Sequence, residues 1–205
     1  MKFPLSWLSE WVEITCSPEE LTEKLTQAGQ EIENIEKIGE QLQNITTGKI
    51  EKIDPHPNAD KLCITTITTG KEKHIIVTGA TNISAGDIIP VSLPGAILAN
   101  GQKIKVSKLR GIESFGMLCS KTELGINEES NGIWILPQDT PIGIDFIEYA
   151  QLKDTLLDLA ILPNRGDCQS ILGLAREISI LFNTPLTPPS YSVNETKENK
   201  SLSIE

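Results

Sequence analysis

The sequence predicts an α+β chain with a small β-barrel at its centre. Three observations carry that expectation: helical periodicity up to about residue 40, short β-branched runs divided by turn residues from about 44 to 120, and helical periodicity again after about 163. The division that follows is a small helical N-terminal domain over 1–40, a barrel domain over 41–148, and a linker, long helix and start of a further α/β domain over 149–205. With 205 residues, 39% of them apolar, the chain has enough material to bury a core.

In the first segment, Trp7, Leu8, Trp11 and Val12 fall on one helical face. A second helix has a clearer start, because Ser17 is placed to cap the N–H of Glu20 and Pro18 occupies the first helical position, where no N–H is needed. Leu21, Leu25 and Ala28 form its apolar stripe, and Gly29 permits a left-handed exit. Strand periodicity predicts strands over 45–53, 62–69, 74–77, 88–93, 104–109 and 116–120. Such short strands without long helices between them suggest a closed barrel, of which the OB type binds oligonucleotides on one face; a sandwich fits the same pattern. Further on, Ile171, Leu174, Ala175, Ile178, Leu181 and Phe182 make an amphipathic helix, with Asn164 or Asp167 as the expected cap. After Pro185, Pro188 and Pro189 the chain runs out in polar residues, which suggests that the sequence opens a domain it does not complete.

Lys and Arg number 18 against 28 Asp and Glu, a formal charge of −10. Residues 1–40 hold 3 basic and 9 acidic groups, residues 41–147 hold 10 and 11, and residues 148–205 hold 5 and 8. The middle segment is nearly neutral and gathers Lys103, Lys105, Lys108 and Arg110, so a polyanion would meet the chain there; the same lysines also suit a solvated strand edge. No apolar run approaches the length of a membrane span and no secretory leader is evident, so the chain is read as cytoplasmic, with neither membrane nor DNA as a partner.

Catalysis has few candidates. The 4 cysteines form no C-x-x-C pair and are accompanied by 2 histidines, which argues against zinc and against a disulfide framework. Neither His56, set between prolines, nor His74, opening an apolar strand, is marked as the base of a Cys nucleophile. No glycine cluster opens a helix to cradle phosphate, and no Asp-rich spacing offers Mg²⁺ ligands. Catalytic, metal and cofactor sites are therefore all expected to be absent.

Binding has better support. In the stretch from Asp54 to Leu62, two prolines stiffen a loop, Asn58 and Asp60 are placed to bond their own backbone, and Lys61 is held outward. From Leu109 to Ser120, glycines let backbone approach a ligand, while Arg110, Ser114 and Ser120 supply donors suited to phosphate or 2′-hydroxyl groups.

The blocks His56-Pro57-Asn58-Ala59-Asp60-Lys61-Leu62, Thr78-Gly79-Ala80-Thr81-Asn82, Leu109-Arg110-Gly111 and Gly116-Met117-Leu118-Cys119-Ser120 resemble the tRNA-binding OB domain shared by several synthetases and stand-alone tRNA-binding proteins. The opening Met1-Lys2-Phe3-Pro4-Leu5-Ser6-Trp7-Leu8 and the later Pro163-Asn164-Arg165-Gly166-Asp167-Cys168 narrow the resemblance to the N-terminal part of the bacterial phenylalanyl-tRNA synthetase beta-subunit family. The departures are Thr78, where that family usually has cysteine, and Thr81, where proline is common.

That resemblance implies an OB-type barrel that binds tRNA(Phe), followed by the opening of an editing region. It also implies an alpha-subunit partner in an alpha2beta2 heterotetramer, with ATP and Mg²⁺ serving the full enzyme rather than this piece. The expected RNA contacts are Lys61, Asn82, Lys103, Lys105, Lys108, Arg110, Ser114 and Ser120. Rival readings are a stand-alone tRNA-binding chaperone-like module, a barrel that docks subunits with little RNA contact and, last, a small Cys hydrolase.

Overall fold

A computed structural model describes residues 1–193; the expected terminal run beyond Val193 lies outside the described residues. Two compact units form, one from Met1–Glu36 together with the described residues from Thr155 on, the other from Lys37–Asp154.

The first unit opens with β1 (Lys2–Pro4), α1 (Leu5–Ser9), α2 (Pro18–Gln27) and β2 (Glu31–Ile38). Ser17 caps α2 as expected, its hydroxyl accepting the Glu20 N–H at 3.1 Å. Helix α1 is shorter than the apolar face suggested. Trp11 and Val12 lie beyond it, and Val12 makes a β-bridge with Leu186. The N-terminal segment is therefore not purely helical. Strand β1 is too short to show a period, and β2 places its isoleucines at every third position, a spacing that suits a helical face better than strand alternation.

The second unit is built on β3 (Gln43–Pro55), β4 (Cys63–Thr68), β5 (Lys73–Thr78), β6 (Ile88–Ile97), β7 (Ser107–Leu109), β8 (Ile112–Ser114) and β9 (Met117–Leu118), with the short α3 (Phe146–Tyr149) after them. Five of these strands make one antiparallel sheet in the order β5-β4-β3-β6-β9, and β7 and β8 form a separate hairpin. The sheet curls into a half-barrel rather than stacking as a sandwich. Two features of the long β3 bend it: a register shift between Ile50 and Lys52, and Gly48, where a Cβ would stand 2.7 Å from Ile67 Cγ2 and 2.9 Å from Val91 Cγ2. Side chains of the flanking strands thus close over Gly48. The β5 edge is capped where the Phe115 N–H reaches the Ile75 carbonyl at 2.8 Å.

Ile50, Ile67, Ile76, Ile89, Val91 and Leu118 fill the inside of the curl. A neighbouring cluster packs Leu42, Ile45, Leu98, Cys119 and Phe146, with Trp134 edge-on to Phe146 at 5.3 Å between ring centroids. The strand expected over 104–109 survives only at Ser107–Leu109, because Ile104 exchanges backbone bonds with Gly95 and Ala96 (2.8 Å each) and ends that pairing.

Beyond the barrel, β10 (Asp154–Ala160), a 3-10 turn (Pro163–Cys168) and α4 (Ile171–Phe182) complete the first unit. The described part of this stretch packs with the N-terminal segment. Strand β10 lies between β1 and β2, and Leu157, Leu159, Ile171, Leu174 and Ile178 share one core with Phe3, Leu8, Leu21 and Leu25. The terminal ammonium of Met1 reinforces that pairing through Asp158 Oδ1 (2.8 Å) and the Leu159 carbonyl (2.6 Å). Helix α4 is capped by Ser170, whose hydroxyl accepts the Gly173 N–H at 3.0 Å, and not by Asn164 or Asp167, which belong to the preceding turn.

Candidate nucleic-acid interface

Within the second unit, a cleft of about 500 Å³ opens between the Thr78-Gly79-Ala80 turn, the 102–105 strip and the β7–β8 hairpin, with Met117 in its wall. The Thr78 hydroxyl accepts the Ala80 N–H at 3.2 Å, so the threonine that departs from the family pattern still closes this turn. Lys103 and Lys105 both line the cleft, with Ile104 buried between them. Neither has a carboxylate partner among the described residues. By contrast, Lys52 is paired with Asp54 at 2.8 Å and Lys73 with Glu51 at 2.7 Å. Lys49, Lys61, Lys71 and Lys108 also stand outside the ion pairs of the described residues, so what distinguishes Lys103 and Lys105 is their place in the cleft lining.

The other expected contacts separate from this pair. Ser107 and Leu109 border the cleft, so alternation along β7 turns Lys108 to the opposite face of the hairpin, where Glu113 is its cross-strand neighbour. Arg110 and Gly111 form the two-residue hairpin turn with φ +48° and +100°, the geometry that matches strand twist. Lys61 is exposed just before β4.

Three polar candidates are occupied inside the protein. Asn82 grips the backbone of Ile133 with both ends of its amide: Nδ2 donates to the Ile133 carbonyl at 2.9 Å and Oδ1 accepts the Ile133 N–H at 3.1 Å. Ser114 is 1% exposed, accepting the Val77 N–H and donating to the Gly116 carbonyl. Ser120 is also buried and closes a local turn with the Glu123 carboxylate. Sequence reasoning offered these hydroxyls to RNA because residue type alone does not reveal which way a strand faces.

The loop from Pro55 to Leu62 is held differently from the expectation. Asn58 contributes its backbone N–H, which donates to His56 Nδ1 at 3.1 Å, and the His56 N–H bonds the Leu62 carbonyl at 3.1 Å. His56 is 6% exposed, and its Nε2 lies 3.2 Å from the Leu109 carbonyl. The His-Pro pattern was visible in the sequence, but this partner, 53 positions away, was not.

In the first unit, Asp167, Cys168 and Glu177 bring three potential ligand atoms within 4.8 Å of one another. Their cation is already present. Arg165 donates to Asp167 (3.2 and 3.1 Å) and its Nη2 stands 2.7 Å from Glu177, which leaves this a guanidinium-centred cluster rather than a metal centre. Nor are the thiols activated. Burial pushes Cys119 up to about 12 and Cys168 up to about 11, the latter raised further by Asp167, and burial also raises Cys16 and Cys63. Nucleophilic cysteines require the opposite shift.

Residues 45–145 match the family described as "Putative tRNA binding domain". Over 203 residues the chain is 43% identical to the phenylalanine--tRNA ligase beta subunit of Syntrophus aciditrophicus (strain SB), covering 99% of this chain and 25% of that protein. It is 45% identical over 203 residues to the same subunit of Clostridium tetani (strain Massachusetts / E88), covering 98% of this chain and 25% of that protein. The chain thus spans about a quarter of the length of these relatives. Along nearly all of its residues the chain is similar to a quarter of these phenylalanine--tRNA ligase beta subunits, with the match to a tRNA-binding domain at its centre.

Proposed function

We propose that the half-barrel is an OB-type module that grips tRNA(Phe) along the cleft, with Lys103 and Lys105 meeting the phosphate backbone. In the longer protein this contact supports the ATP- and Mg²⁺-dependent charging of tRNA(Phe) with phenylalanine in the cytoplasm, together with an alpha subunit in an alpha2beta2 assembly. The residues described here take the binding part alone, with no cofactor of their own. The observation that carries this reading is the pair of exposed lysines, Lys103 and Lys105, that line one cleft together with the Thr78-Gly79-Ala80 turn and the β7–β8 hairpin, neither held by an internal carboxylate among the described residues.

Among the described residues no helix is long and apolar enough to cross a membrane. The test is retention of a tRNA(Phe) transcript across a salt series. Wild type binds at low salt and releases as salt rises, and the Lys103→Ala/Lys105→Ala variant binds weakly throughout. Equal binding by the two proteins overturns the proposal. A docking barrel draws on a different observation, the exposure of Ile75 (45%) and Phe115 (37%), whose backbones are joined at the β5 edge. That reading predicts alpha-subunit capture that Ile75→Ser abolishes and tRNA does not compete away.

A further inference from the structure

We propose that His56 is a positioning residue for RNA binding: its imidazole clamps the rigid 55–62 loop to the β7–β8 hairpin, fixing the wall of the cleft. The proposal rests on the RNA reading above and names how that site is held in shape.

Donor chemistry settles the tautomer. The Asn58 N–H can only donate, so His56 Nδ1 accepts at 3.1 Å; a carbonyl can only accept, so Nε2 carries the proton and gives it to Leu109 at 3.2 Å. A neutral ring with both nitrogens occupied, 6% exposed and backed by prolines on either side, has little freedom to turn. Its acceptor is well chosen. Leu109 precedes the Arg110-Gly111 turn and borders the cleft, as does Ser107 two residues earlier.

The hairpin has few other restraints. On the β8 side it is tied to β5 through Ser114 to Val77 and through Phe115 to Ile75. On the β7 side, among the described residues, the His56 bond is the one hydrogen bond that reaches outside the hairpin. Without it, a three-residue strand and a two-residue turn are held along one side only. The loop that His56 anchors also carries Lys61, so one imidazole joins two of the basic segments.

The experiment uses the full 205-residue chain and a tRNA(Phe) transcript. His56→Asn places an amide where Nδ1 was, which keeps the loop's internal acceptor and removes the reach to Leu109; His56→Gln extends a donor toward the Nε2 position. His56→Asn is expected to bind tRNA about 3- to 10-fold more weakly, the loss of roughly one ordinary hydrogen bond, and to exchange its hairpin amides faster without RNA. His56→Gln restores both. Wild-type affinity and exchange in His56→Asn, or no recovery in His56→Gln, overturn the proposal. Imidazole nitrogen NMR on the wild type decides it independently of any variant, since a ring protonated on Nδ1 rather than Nε2 refutes the clamp. Failure of the RNA reading looks different: the Lys103→Ala/Lys105→Ala variant then binds as wild type, while the exchange and tautomer results still report on the clamp.

Discussion

Ser114 turns its hydroxyl inward, accepting the Val77 N–H at 3.1 Å, and so stitches the end of β8 to the C-terminal end of the β5 backbone. Ser114→Ala leaves that buried N–H without a partner, which costs about 1–3 kcal/mol. Urea unfolding followed through Trp134 is expected to show the loss. The salt dependence of tRNA binding by the folded protein stays as in wild type, because no phosphate contact is removed. A changed salt slope with unchanged stability would return Ser114 to the RNA surface.

Lys103 and Lys105 are expected to act through charge alone. Each phosphate contact contributes roughly 0.7–0.9 to the log–log salt slope, so the double alanine variant should lose about 1.4–1.8. Melting temperature is unaffected, since neither side chain has an internal ion pair to lose. Lys108→Ala has the smaller effect, as it faces away from the cleft beside Glu113. Salt titrations of the three proteins in parallel rank the contacts, and a larger effect at Lys108 would move the interface to the other face of the hairpin.

The contrast between Lys103 and Ser114 shows what the sequence could reveal. Strands β4, β5 and β6 were legible because β-branched runs between turn residues have few other solutions, and the basic strip was legible because charge adds up without knowledge of the fold. Strand β2 was not legible: Ile32, Ile35 and Ile38 are spaced as on a helical face, and its place at the edge of β10 comes from pairing over more than 100 positions. The same holds at the site. Asn82 and Ser114 carry the right atoms for RNA, but their partners, Ile133 and Val77, are long-range contacts that no local pattern announces.

Thiol reactivity tests the case against a cysteine nucleophile. With its pKa pushed up to about 12 by burial, Cys119 holds roughly one thiolate in ten thousand at pH 8. N-ethylmaleimide should therefore label Cys119 only on unfolding, and mass spectrometry of peptides from native and urea-treated protein checks this. Rapid native labelling at Cys119 would reveal an opening of the core between Leu118 and Phe146.

The cluster at Arg165 gives the first unit a pH dependence whose sign is fixed. The guanidinium bond holds the Asp167 carboxyl below its ordinary value, so folding favours the ionised form. A carboxyl depressed in the folded state adds stability above its unfolded pKa, about 3.9 for aspartate, and that contribution disappears as pH falls through the lower folded value. Asp167→Asn never has it. The gap in urea midpoint between wild type and Asp167→Asn is thus expected to be full at pH 6 and to close as the pH falls below about 4. Trp7 and Trp11 report this unit, and Trp134, in the other, serves as the internal control in a variant with both replaced by Phe. The gap stays small because Asp167 is exposed and Arg165 keeps its 2.7 Å pair with Glu177. A midpoint gap that widens on acidification would mean that Asp167 is held protonated in the folded protein, and the reading of Arg165 as the cluster's resident cation would fall with it.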